Sequence, residues 1–306
     1  MRVICIGECM VELRQAGEGR YARAFAGDAY NTAVYLKRSA PAAEGGFLTA
    51  TGAGGLSAEM RQAWAAEGVD GGLAWSIEGA EPGLYMIDLD AAGERSFRYW
   101  RSASPARQWL RRLLADGGAD RLAGADLVYL SGISLAILPE ADRWAAADLL
   151  RALKGRVGRI AFDPNVRPVL WRDLDEARAG VEPIIGLADI LRASRDDGRL
   201  LFDLAEPAAQ IAAYRALGAG EIALTLDADG CLWTGGGPPQ ALPAPFAGPV
   251  RDTAGAGDSF NGAYLAARLG GADGLQAARA GLSVASRVVT APGAIVPVSV
   301  SHPSGG

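Results

Sequence analysis

The run richest in chemistry is Asp252-Thr253-Ala254-Gly255-Ala256-Gly257-Asp258, continuing as Ser259-Phe260-Asn261-Gly262-Ala263-Tyr264-Leu265. A polar, glycine-rich turn leads into apolar residues at three- and four-residue spacing, the pattern of an amphipathic helix. The first N–H groups of a helix lack intrahelical partners, and with the helix dipole behind them they hold anions. Gly255 and Gly257 allow another group close to that backbone. Asp258 falls in the first turn, where a carboxylate beside an anion site can take a proton from an attacking hydroxyl. A plain helix cap would explain the acid but not the glycines.

Other chemistries have little to work with. The single histidine is His302, in the C-terminal SHPSGG, so neither a Ser-His-Asp triad nor a histidine-rich zinc site is expected. Lysine occurs only at Lys37 and Lys154, and no G-x-x-x-x-G-K-[ST] run is present. Three cysteines in 306 residues make no disulfide framework, and Cys5, inside the apolar VICIG, reads as a core thiol. Gly52-Ala53-Gly54-Gly55 lacks the third glycine of a dinucleotide fingerprint. A net charge of −5 argues against a nucleic-acid partner. No apolar stretch approaches the ~20 residues of a membrane span. The chain opens on a strand-like run with no leader, so a cytoplasmic protein is expected.

The elements that must hold the site follow a βα rhythm. Apolar runs at 3–6, 127–130, 159–162, 188–191 and 221–224 read as buried strands. Helical spacing appears at 29–38, 57–67, 139–153, 207–217 and 258–269. Together they predict one doubly wound α/β domain over 1–306. Residues 84–101 read as two strands around a glycine-containing turn, and 9–26 is also strand-like. They predict a small inserted β-sheet, built from about 9–26 and 72–101, covering one edge as a lid. Residues 301–306 read as a loose tail.

D-T-x-G-A-G-D followed by S-F-N-G-x-Y-L resembles the C-terminal signature of the ribokinase-like (PfkB) carbohydrate kinases. Further stretches resemble the 2-keto-3-deoxygluconate kinases of that family. These are Gly7-Glu8-Cys9-Met10-Val11-Glu12-Leu13, residues 27–36 (GDAYNTAVYL), residues 83–87 (GLYMI), residues 97–101 (FRYWR), residues 130–133 (LSGI) and residues 162–171 (FDPNVRPVLW). The resemblance implies a Rossmann-like body with a β-lid, ATP as donor, and Mg2+ or another divalent cation on its phosphates, with a monovalent cation as a further candidate. It implies a homodimer or larger assembly, since a lid hairpin otherwise leaves an unprotected edge.

Carried over by motif, Asp258 would be the catalytic base, and the N–H groups of Ala254, Gly255, Ala256 and Gly257 the anion hole for the transferred phosphoryl group. Gly27, Asn31, Tyr85, Tyr99, Arg101 and Arg167 would line the acceptor site together with Asp258. Asn165, Ser194, Thr225, Asp227 and Gly230 would face the nucleotide, and Asp197 the metal. Two arginines suit a carboxylate, so Arg101 and Arg167 favour a sugar acid over fructose or ribose. Read by residue type alone, Arg101 could equally be solvated, Tyr85 and Tyr99 ordinary hairpin core, and Asp163 either structural or close to the phosphates. The sequence departs from the family pattern at Ala26 and Asp227, where glycine is usual, at Thr225 for lysine, and at Gly198 for glutamate. Gly54-Gly55 also lack an aspartate often found there. A kinase acting on another sugar such as a ketohexose, and a non-catalytic sugar-acid-binding homologue, remain the alternatives.

Overall fold

The computed structural model describes residues 1–89 and 95–297. The turn expected at 91–94, His302 and the loose tail expected at 301–306 fall outside the described residues. Strand-forming runs give β1 (Arg2–Ile6), β2 (Met10–Gln15), β3 (Tyr21–Ala26), β4 (Glu44–Gly52), β5 (Ala74–Ile77), β6 (Leu84–Leu89), β7 (Arg95–Trp100), β8 (Leu127–Ser131), β9 (Arg159–Asp163), β10 (Ile190–Ser194), β11 (Glu221–Thr225), β12 (Cys231–Thr234) and β13 (Gln240–Leu242). Nine of them form one sheet in the order β13-β12-β11-β10-β9-β8-β1-β4-β5. It is parallel from β5 to β11 and closes with two antiparallel edge strands.

Because side chains alternate along a strand, each parallel strand feeds two cores. Ile4, Ile6, Val128, Leu130, Ile160 and Phe162 pack under the helices Trp109–Ala115, Glu140–Leu153 and Leu174–Ile185. Val3, Cys5, Leu127, Tyr129 and Ala161 face the opposite layer, with the helices Asp28–Ser39, Ala256–Leu269 and Gly274–Val288. Strand order reverses between β1 and β8, since the chain builds outward to β4 and β5 before returning to the far side of β1. The crevice beyond the strand C-termini at such a reversal is where open α/β sheets bind ligands.

The remaining strands form a separate four-stranded sheet, β3-β2-β6-β7. The segment 9–26 supplies an antiparallel pair, and 84–101 the hairpin expected from the sequence. One boundary moves: β5, counted with the lid from sequence, pairs in parallel with β4 in the large sheet. Its four residues follow the 71–72 glycines and alternate too briefly to reveal a partner.

Candidate active site

The C-terminal ends of β1, β8, β9, β10 and β11 lie along one edge, with Ser131 opposite Asp163 and Ser194 opposite Thr225. The helix Ala256–Leu269 begins above this edge. Gly255 caps it at φ 72°, a conformation glycine adopts without strain, and a Cβ there would stand 2.4 Å from the Ala294 carbonyl oxygen. Asp252 braces the turn: Oδ1 accepts from Ala254 N at 2.7 Å and Oδ2 from Gly293 N at 2.8 Å. The expected anion hole therefore narrows. Ala254 N–H is held by Asp252, and Ala256 N–H by the Thr253 carbonyl at 3.3 Å. Among the described residues, Gly255, Gly257 and Asp258 N–H groups donate to no protein acceptor. No atom lies within 4 Å of a Cβ position on Gly257, so the helix start faces open space.

Asp258 is partly buried, and Asn31 Nδ2 donates to its Oδ2 at 2.8 Å. Asn31 is 4% exposed and its own Oδ1 accepts from Gly27 N at 3.3 Å, so the amide cannot turn away. Burial, then the Asp28 carboxylate, raises the Asp258 carboxyl to about 7; Asn31 and Arg167 pull down, while Asp163 adds to the rise. Asp163 ends β9 and is likewise raised to about 7, by burial and then Asp197, against the Arg192 charge and the Asn261 hydrogen bond. Each carboxylate is tied to an asparagine amide: Asp28 to Asn165 Nδ2 at 2.9 Å, and Asp163 to Asn261 Nδ2 at 2.6 Å. Amide donors between like charges let three carboxylates share the crevice floor. Asp28 belongs to none of the expected roles. Its position two residues before Tyr30 in the first turn of a helix reads as a dipole partner, and only the tertiary fold turns it toward Asn165.

Arg167 lies in the loop after β9, exposed, with Nη1 donating to the Val166 carbonyl at 3.2 Å. Its charge reaches both Asp258 and Tyr99, which joins the crevice to the small sheet. There Tyr85 and Tyr99 are cross-strand partners with ring centroids 5.9 Å apart. Tyr85 is buried and its hydroxyl donates to Glu12, while Tyr99 is 44% exposed. Arg101, expected either at the acceptor site or in solvent, carries an ion pair. It is paired with Glu8, which is almost wholly buried at the exit of β1. Glu8 and Glu12 sit in the opening motif, but nothing in their spacing predicts burial.

The residues expected to face the nucleotide line the next strand ends. Ser194 and Asp197 form a capping box at the helix Arg195–Phe202: Asp197 Oδ2 accepts from Ser194 N and Oγ at 2.8 and 2.6 Å, and Oδ1 from Val166 N at 2.7 Å. Both oxygens of Asp197 are thus engaged within the protein, and the role visible for it is a cap. Thr225 Oγ1 donates to the Ala193 carbonyl at 3.2 Å. Asp227 has φ 54°, the left-handed region, which explains why a glycine is usual there and why aspartate, among the non-glycines, fits. Arg195 lies beside it, bonded to Asp229 at 2.6 Å and to the Leu226 carbonyl at 3.0 Å, and its charge offsets the acids of this turn. Gly230, φ 97°, packs under the Leu242 carbonyl. A Cβ on Gly198 would meet Gln210 at 2.2 Å, so Gln210 fills the room a glutamate would need. Ala26 places its methyl among Met10, Tyr85 and Ala294.

Residues 1–300 match the family model described as pfkB family carbohydrate kinase, and the chain belongs to that family. It is an ATP-dependent carbohydrate kinase by family. The 2-dehydro-3-deoxygluconokinase of Dickeya dadantii is 40% identical, covering 97% of both chains. That of Escherichia coli K12 is 38% identical, again over 97% of each. Among solved structures, a PfkB protein from Polaromonas sp. JS666 superposes with a TM-score of 0.82 at 26% identity, covering 95% of this chain and 96% of that one. A fructokinase variant from Vibrio cholerae O395, bound to fructose, ADP and potassium, gives 0.83 at 25% identity over 96% and 93%.

Proposed function

We propose that this kinase phosphorylates 2-keto-3-deoxygluconate (the 2-dehydro-3-deoxygluconate of its relatives) or a close sugar acid. The observation that carries the reading is Asp258, held by Asn31 beside the unpartnered Gly257 N–H at an open helix start. With its carboxyl near neutrality, Asp258 is suited to accept the acceptor hydroxyl's proton at physiological pH. The Gly255 and Gly257 N–H groups would meet the charge that develops on the transferred phosphoryl group. Arg167, with donors left over, is the guanidinium best suited to the substrate carboxylate, while Arg101, already neutralised by Glu8, would hold its edge. Gly27, Asn31, Tyr85 and Tyr99 complete the acceptor side. Asn165, Ser194, Thr225, Asp227 and Gly230 form the nucleotide side.

Among the described residues no three His, Cys, Asp or Glu side chains converge as metal ligands. A magnesium ion would fit this chain as a companion of the nucleotide phosphates, with Asp197 or Asp163 as the carboxylate beside it, each oxygen of both already accepting a hydrogen bond within the protein. Such an ion neutralises phosphate charge. The Vibrio cholerae fructokinase with bound potassium supports a monovalent cation as a second requirement. No described helix is long and apolar enough to cross a membrane, and a nucleotide-using kinase fits the cytoplasm. The exposed aromatics Tyr21, Phe97 and Trp100 on the small sheet favour self-association there, as a dimer or larger.

The test is ADP release by the purified protein with MgATP, in the presence and absence of 2-keto-3-deoxygluconate, with fructose, ribose and gluconate in parallel. Turnover confined to the keto-deoxy acid is expected. Turnover with fructose alone would replace the acceptor, and none with any acceptor while an ATP analogue fails to bind would favour a binding-only protein.

A further inference from the structure

The chain passes between the two sheets four times: at residues 7–9, at Gly27, at 78–83 and from Arg101 onward. All four passages meet at one residue. A Cβ on Gly27 would stand 2.1 Å from the Glu8 carbonyl oxygen, and a Cβ on Gly83 would stand 2.7 Å from Glu8 Oε1 and 3.2 Å from Arg101 Cβ. The Gly83 carbonyl also accepts from Val11 N at 2.8 Å, tying the strand after the first passage to the third. Arg101 Nη2 donates to Glu8 Oε2, and the two side chains are 10% and 1% exposed. Glycines at two of the passages thus let the chain close around a single residue, Gly27 against its backbone and Gly83 against its carboxylate.

A charge so placed is costly unless paired, and here the pair is incomplete. Glu8 Oε1 and Arg101 Nε are both buried without a hydrogen-bond partner. A purely stabilising bridge would be expected to use those atoms, whereas one that fixes the direction of a side chain needs only a single strong contact. Arg101 follows directly on β7, whose Tyr99 faces Tyr85 and lies 5.9 Å from the Arg101 guanidinium. Moving Arg101 therefore moves the strand that carries the aromatic wall of the acceptor side.

We infer that Glu8 is a positioning residue for phosphoryl transfer: buried where the four passages converge, it sets Arg101 and, through it, the seating of the small sheet over the acceptor. The inference rests on Arg101 being an acceptor contact, as proposed above. Glu8 touches neither substrate in this account.

Steady-state kinetics of Glu8→Gln, Arg101→Gln and the double variant, with acceptor and ATP varied separately, test it. Loss of one charge-assisted hydrogen bond predicts an acceptor KM about tenfold higher in each single variant, with the KM for ATP unchanged. The double variant should be no worse than Arg101→Gln alone, because Glu8 acts through that residue. If Arg101→Gln leaves the acceptor KM unchanged, the acceptor reading itself fails. If Arg101→Gln raises it and Glu8→Gln does not, or if the two effects simply multiply, the role given to Glu8 is wrong. Should Glu8→Gln not fold, Gly83→Ala serves instead, since its methyl presses on Glu8 and Arg101 without removing charge. It should raise the acceptor KM severalfold while the melting curve stays cooperative, and an unchanged acceptor KM would overturn the inference.

Discussion

Replacing Asp258 with asparagine separates catalysis from stability, and the two should move in opposite directions. In the wild type a carboxyl near 7 is roughly one-tenth ionised at pH 6 and nine-tenths at pH 8. Since kcat/KM reports the free enzyme's base, it should rise close to tenfold across that interval, whereas an ordinary carboxylate would give a flat line. Asp258→Asn should lower turnover by about 100-fold or more and flatten the profile. The sign for stability follows from the same shift. The folded protein holds this proton more tightly than the unfolded chain, so stability is fullest below about pH 4 and is lost as pH rises toward 7. The rise from the ordinary carboxylate range to about 7 corresponds to about 4 kcal/mol, reduced to about 2 kcal/mol for a partly exposed group. The asparagine keeps an oxygen for Asn31 and carries no charge, so urea unfolding at pH 8 should show it more stable by that amount, with the gain fading toward pH 4. A wild-type profile flat from pH 5.5 to 8, or a variant less stable at pH 8, would refute the electrostatic account of the crevice.

Arg167→Ala should raise the acceptor KM by tenfold or more for a sugar acid and move the acid limb of kcat/KM to higher pH, because a charge that lowers the Asp258 value is gone; acceptor-dependent rates across pH read both. Gly255→Ala must pay left-handed strain and a contact with the Ala294 backbone, so turnover should fall at least tenfold and the melting temperature by several degrees, both measurable on purified protein. Arg192, on β10, is 2% exposed with its guanidinium 4.0 Å from the Phe260 ring and its charge beside Asp163; Arg192→Ala should destabilise by about 3 kcal/mol in urea unfolding.

Strands buried on both faces announce themselves as apolar runs, and β1, β8, β9 and β11 lie where those runs are. β4 did not: Glu44-Gly45-Gly46 opens it and Thr49 and Thr51 interrupt its apolar residues, although Phe47 and Leu48 are wholly buried between β1 and β5. The helix Leu174–Ile185 carries Pro183 inside it and so breaks its own pattern near the end. At the site, Asp258 and its glycines are local chemistry and legible as such. Asp28 and Glu8 are not, since each acquires its partner from more than 90 residues away, Asn165 in one case and Arg101 in the other. Asp197 is ambiguous in sequence, because an acid near a strand end looks alike whether it faces a metal or caps a helix, and the structure shows the cap.

Gln210 leaves a mark on which sequences can be reached from this one. Its amide donates to the Arg195 and Leu204 carbonyls at 3.0 and 2.7 Å and lies where any side chain at position 198 would have to go. Glutamate cannot enter at 198 while that amide stays, and shortening Gln210 first abandons two partly buried carbonyls. The two positions are therefore locked together: each single step passes through a less stable protein, and only the paired change opens the route. A survey of single substitutions would score position 198 as closed to every residue but glycine, and would miss that the lock is set twelve residues further along the chain.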